Sequence, residues 1–181
     1  MSIVVYDTDL LVLLYGRKHN KAGRKAAEAA ITELRSGGCT DLGGGWLTGA
    51  NCVANMMERH GYRSGHVILL SDGHANHGIT DPRELAHHAA ELAERGVTSS
   101  CVGIGHAYSP LQLDAIAEAG HGQLHHSETP EEIVDVVLGE LGEMTQIVAH
   151  SARLTLHCPH PALSRQLTAF KVEEERCDVR L

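Results

Sequence analysis

The run His66-Val67-Ile68-Leu69-Leu70-Ser71-Asp72-Gly73-His74-Ala75-Asn76 decides how the rest of the chain is read. An apolar stretch too short for a helix gives way to Ser-Asp-Gly, the composition of a buried strand that ends in a turn. Its neighbours extend the pattern. Residues 3–6 and 10–15 are strand-like, and residues 22–35 carry Ala26, Ala27, Ala30, Ile31 and Leu34 at helical spacing. A glycine-rich loop over residues 37–45 leads into a further helix, and residues 101–104 form the next strand; both this strand and residues 66–70 read as buried. Three helices announce their starts as Asp81-Pro82-Arg83-Glu84, Ser109-Pro110-Leu111-Gln112 and Thr129-Pro130-Glu131-Glu132. In each, a capping side chain and a third-position side chain are expected to satisfy orphan backbone donors, with proline where no hydrogen bond is needed. Strands alternating with helices give an α/β domain with a mainly parallel sheet covered on both faces.

Composition narrows the function. The 181 residues are 43% apolar and only 3% aromatic, so the core is expected to be built from Leu, Val, Ile and Ala. A formal charge of -8 offers no basic footprint, which sets nucleic acid aside as a partner. No apolar run is long enough to span a membrane, and the opening residues lack the basic start of a signal peptide. Five widely spaced cysteines without a C-x-x-C pair argue against a disulfide framework or zinc ribbon, so a reduced, cytoplasmic setting is expected. After about residue 150 the pattern becomes alternating, in residues 153–157 and 167–172, and indicates a short β-rich C-terminal tail. The expected domains are therefore 1–150, the α/β unit, and 151–181, the start of a β-rich segment.

In open parallel sheets, ligands sit beyond the carboxyl ends of the strands. The strand before Asp72 places it there, and the loop Gly37-Gly38-Cys39-Thr40-Asp41-Leu42 can bring Thr40 close to it. A hydroxyl, a carboxylate and waters are donors that Mg²⁺ accepts.

At these residues the chain resembles the von Willebrand factor A domains. Residues 67–76 look like that family's strand and loop with the metal-site aspartate, and Gly38-Cys39-Thr40-Asp41-Leu42 is similar to its metal-site threonine loop. Gly96-Val97, Val102-Gly103-Ile104-Gly105 and Leu113-Asp114-Ala115-Ile116-Ala117 follow in the family's order, and the resemblance covers about residues 3–145. It implies a Rossmann-like three-layer α/β/α fold with strand order 3-2-1-4-5-6. It also implies a protein-binding or adhesion-type module, not an enzyme, in which a partner's Asp or Glu completes the coordination of Mg²⁺ held by Thr40 and Asp72.

The family's metal-ion-dependent adhesion site (MIDAS) further needs D-x-S-x-S after the first, central strand, and no such sequence occurs in the 181 residues. By position, Ile3-Val4-Val5-Tyr6 resembles the second strand. The domain is therefore expected to lack its first strand and helix, with metal binding weak or lost. The strand so missing belongs between residues 3–6 and 66–70, which leads us to expect a chain that dimerises, or that fills the gap with its own tail.

Three other patterns carry alternative chemistry. Asp7 and Asp9 after an N-terminal strand also resemble the haloacid-dehalogenase-like phosphatases, as nucleophile and general acid with Asp72 on Mg²⁺. However, Leu11 stands where those enzymes prefer Thr or Val, and a solvated strand-connecting turn is the favoured reading. Gly103-Ile104-Gly105 begins like a dinucleotide fingerprint but places Tyr108 at the third glycine, so these glycines are expected to serve a turn. Finally, among fourteen histidines, His74, His77, His87, His88, His125 and His126 invite a zinc reading. Lacking two close pairs at ligand spacing, they are expected to be solvated or core-edge residues.

Overall fold

A computed structural model describes residues 1–18, 20–32, 34 and 39–146, with side chains through residue 144. The tail after residue 146, including the expected strands, and the glycines at 37 and 38 lie outside the described residues. Elements run in the order β1 (Ile3–Tyr6), β2 (Leu10–Leu14), α1 (Lys21–Thr32), α2 (Leu42–His60), β3 (Gly65–Ser71), α3 (Pro82–Glu94), β4 (Val97–Ile104), α4 (Pro110–Ala119), β5 (Leu124–Ser127) and α5 (Pro130–Gln146). The described part forms one compact unit, Met1–Gln146.

Strands β3, β4 and β5 form a parallel sheet in that order, with Ser71 opposite Gly103 and Gly103 opposite His126. Strands β1 and β2 form a separate antiparallel hairpin. No ladder joins β1 to β3 among the described residues, so the outer edge of β3 is unpaired there. Tyr6 bridges the seam: its ring packs against Gly45 of α2, and its hydroxyl donates to the Leu70 carbonyl at 2.6 Å. Residues 66–70 are consequently not the buried strand expected. Most of β3 is half-buried, and Leu70 is 38% exposed.

Side chains alternate across the sheet. One face of β4, with Ser99 and Cys101, packs into a core with Leu42 and Trp46 of α2, Leu85 and Ala89 of α3, and Leu113 and Ile116 of α4. The other face, with Ser100, meets Glu140 of α5. This is the three-layer α/β/α arrangement. Low aromatic content had pointed to an aliphatic core, yet the only tryptophan, Trp46, is its largest fully buried side chain.

All three proline-marked helix starts hold. Asp81 caps α3 through the Arg83 amide, and Ser109 caps α4 through the Gln112 amide. At α5 the box is reciprocal, Thr129 accepting from the Glu132 amide while Glu132 accepts from the Glu128 and Thr129 amides. Gln112 departs from the expected pattern. Its side chain accepts from the Ala75 amide and donates to the Thr80 carbonyl, so it holds the loop after β3 and caps nothing. The glycine-rich loop also ends earlier than expected, because α2 begins at Leu42. Asp41 accepts from the Gly44 amide as its N-cap, and Gly43 and Gly45 lie where a Cβ would meet Ile79 and Tyr6. Close packing, not turn formation, explains those glycines.

Candidate metal and partner-recognition site

Two loops and a turn converge at the end of β3. The Thr40 segment is clamped from one side by the β1–β2 turn: the Asp41 amide donates to the Asp7 carbonyl at 2.9 Å, and the Cys39 amide to the Thr8 hydroxyl at 2.8 Å. From the other side, the Asn76 and His77 amides donate to the Thr40 carbonyl, and the Thr40 amide donates to Asn76 Oδ1 at 2.8 Å. Asn76 thus works as a clasp between the two loops. The Thr40 hydroxyl lies 3.9 Å from the position a Cβ would take at Gly73, beside Asp72. Asp72 itself is exposed, and its carboxylate makes no hydrogen bond among the described residues. Gly78, at φ 67°, backs onto the Asp41 carboxylate and completes the wall behind Thr40.

Asp7 and Asp9 take the role of a turn. Asp7 Oδ1 accepts from the Asp9 amide at 2.8 Å, an Asx-type turn that closes the hairpin. The glycines of 103–105 divide their work: Gly105 turns at φ 65°, whereas Gly103 makes room for the Tyr108 ring, which would collide with any side chain there.

The histidines divide by face. His74, His77 and His87 are exposed. On β5, His125 and His126 point to opposite faces of the sheet. His125 Nε2 meets Glu140 at 2.7 Å, joined by His66 Nε2 at 3.0 Å and the Ser100 hydroxyl at 2.7 Å. Burial alone would raise the Glu140 carboxyl, but Ser100, His125 and His66 outweigh it and hold it below its ordinary 4.5. Burial keeps the His66 imidazole below its usual 6.5 despite the carboxylate beside it. Near the seam, burial pushes the Tyr6 phenol up to about 12, so it stays a hydrogen-bond donor. The Glu140 cluster is not legible in the sequence, because one acid among the five of α5 gives no signal of its own.

A family model for the von Willebrand factor type A domain matches residues 1–137. The uncharacterised protein YfbK of Escherichia coli K12 is 29% identical over 159 residues, which cover 84% of this chain and 26% of YfbK. The chain thus spans about a quarter of that relative's length. Among solved structures, a von Willebrand factor type A protein from Catenulispora acidiphila superposes with a TM-score of 0.61 at 26% identity, covering 80% of this chain and 32% of that one. The proximal thread matrix protein 1 of the mussel byssus, solved with zinc in its MIDAS motif, superposes at 0.57 with 22% identity, covering 77% and 34%. The parallel sheet, the helices on both its faces and the match over residues 1–137 lead to one conclusion: the chain belongs to the von Willebrand factor type A domain family.

Proposed function

We propose that this domain is a protein-recognition module whose contact point is the Thr40 and Asp72 loops, with a divalent cation of the Mg²⁺ type bridging to an Asp or Glu of the partner. The observation that carries this is the double clasp around Thr40, which fixes one loop against the other and leaves its hydroxyl 3.9 Å from the Cβ position of Gly73, the residue after Asp72. A hydroxyl and a carboxylate that no described residue engages fit a small hard cation, which wants about six oxygen donors in all. The cation would supply a charge for a partner carboxylate to pair with, and Thr40 and Asp72 would hold it. Because the 181 residues contain no D-x-S-x-S, these two donors leave most positions to water, and metal binding by this chain is weak or lost.

Among the described residues of these loops no side chain is arranged as a nucleophile with its base, which favours binding over catalysis. We place residues 1–150 in this module and 151–181 at the start of a β-rich segment. The edge of β3, unpaired among the described residues, suits strand addition by a second copy, which makes homodimerisation part of the proposal, and the wide cysteine spacing suits a cytoplasmic setting. Among the described residues no helix is long and apolar enough to cross a membrane.

Titrating Mg²⁺ into the isotope-labelled chain and following amide shifts tests the site. Shifts are expected at residues 39–41 and 72–76 and should vanish in Asp72→Ala. Shifts confined to other regions would sink the proposal, as would Mg²⁺-dependent hydrolysis of a generic phosphate ester that Asp7→Asn abolishes.

A further inference from the structure

At the far side of the sheet, the carboxyl ends of β4 and β5 gather a second group of metal-ligand side chains. His106 follows the Gly105 turn after β4, His126 lies on β5, and Glu128 follows β5. Their ligand atoms all lie within 4.8 Å of one another. The geometry points to a zinc-type divalent-cation site formed by His106 Nε2, His126 Nε2 and Glu128 Oε1, separate from Thr40 and Asp72.

Distances favour a metal over a simple ion-pair cluster. Each imidazole Nε2 stands 3.5 Å from the same Glu128 oxygen. That is long for a hydrogen bond, whose N···O distance centres near 2.9 Å. It is close to the ligand-to-ligand edge of a tetrahedral zinc centre, about 3.4 Å when the metal–ligand bonds are near 2.05 Å. The two rings are stacked, 5.9 Å between centroids at 28°, and their ligand nitrogens lie within 4.8 Å of each other.

The surrounding groups hold the ligands in that pose. The Gly105 amide donates to the Ser127 carbonyl at 2.9 Å, which ties the His106 turn to β5. The Glu128 amide is bound by Glu132 at 2.7 Å through the α5 capping box. Tyr108 Oη lies 3.2 Å from His126 Nδ1. With Nδ1–H donating to that phenol, the Nε2 lone pair is left for the metal, the arrangement by which an outer partner fixes the tautomer of a ligand histidine. Two histidines and one carboxylate leave the fourth position for water or for a donor from a bound partner. His126 stands two strands from Ser71 in the same row, about 10 Å at ordinary strand spacing, so the two sites are distinct yet open on the same rim.

Zinc titration of the full chain against a chromophoric chelator tests the site, with Co²⁺ absorption reporting coordination number. One Zn²⁺ per chain at micromolar affinity or tighter is expected, with the visible bands of four-coordinate Co²⁺. His106→Gln and His126→Gln should each weaken binding at least about 100-fold, and Tyr108→Phe about 10-fold. Binding should be unchanged in Asp72→Ala and His74→Ala, which separates this site from the Thr40 and Asp72 loops. The ligand side chains are solvent-exposed, so the variants should melt as the parent does without zinc. Equal affinity in His126→Gln and parent, loss of zinc in Asp72→Ala, or only weak multi-site binding would each overturn the assignment.

Discussion

Trp46→Ala is expected to remove about 3–5 kcal/mol of stability, a large share of what a small domain holds. Trp46 is 1% exposed, and its Nε1 donates to the Ser99 hydroxyl at 3.0 Å inside the core. It sits where α2 meets β4, among Leu42, Leu85 and Cys101. Truncating a buried aromatic to alanine costs about 3–5 kcal/mol through lost transfer free energy and the cavity left behind. A small domain holds only about 5–15 kcal/mol in all, and the edge of β3 is unpaired among the described residues. Trp46→Phe separates the two contributions, since it keeps much of the volume and removes the N–H, for a smaller cost of about 1–3 kcal/mol. Urea denaturation followed by circular dichroism reads both. A midpoint for Trp46→Ala within error of the parent would show that α2 is not anchored through this side chain.

The second large effect centres on Glu140. It is 7% exposed and accepts from or pairs with His66, His125 and Ser100, which together pin α5 to the sheet. Glu140→Ala strands these three groups, and removing one member of a buried pair costs about 3 kcal/mol or more. Acid should act on the same cluster. Both His66 and Glu140 have folded-state values below their ordinary ones, so the unfolded chain binds more protons in both windows. Their contribution is therefore complete at neutral pH. It is lost as pH falls, first in the histidine window below 6.5 and then in the carboxylate window below 4.5. Melting temperature measured across this range should drop in two stages, and Glu140→Gln should flatten the lower one. An unchanged profile in Glu140→Gln would remove this carboxylate from the account.

How far these features were legible depended on whether their cause was local. The apolar run ending at Asp72 and the proline-marked helix starts state their element and its boundary within a few residues, whereas the half-burial of β3 and the brace role of Gln112 depend on distant neighbours. Glycines 43 and 45 were taken for loop because their reason lies elsewhere in the chain, in Ile79 and the Tyr6 ring. Strand β5 was passed over, since Leu-His-His-Ser does not look apolar when each histidine has a polar partner on its own face. At the candidate site, Thr40 and Asp72 could be named from their loops. The Asn76 clasp and the Gln112 brace could not, because both depend on residues more than thirty positions away.

The Tyr6 bridge divides the domain into parts that come apart in sequence. Across the seam between β1 and β3, the Tyr6 phenol reaches the Leu70 carbonyl where no backbone ladder forms among the described residues, with helix α2 resting on both sides through Gly45 and Gly49. Local opening follows the weakest set of contacts, and here that set surrounds the hairpin, whose Leu10, Leu11 and Val12 are already exposed. Amide protons of β1 and β2 should therefore exchange with solvent well before those of Cys101 and Val102. Tyr6→Phe should widen that interval by quickening hairpin exchange alone, whereas uniform exchange rates across both sheets would mean that the domain opens as one cooperative body.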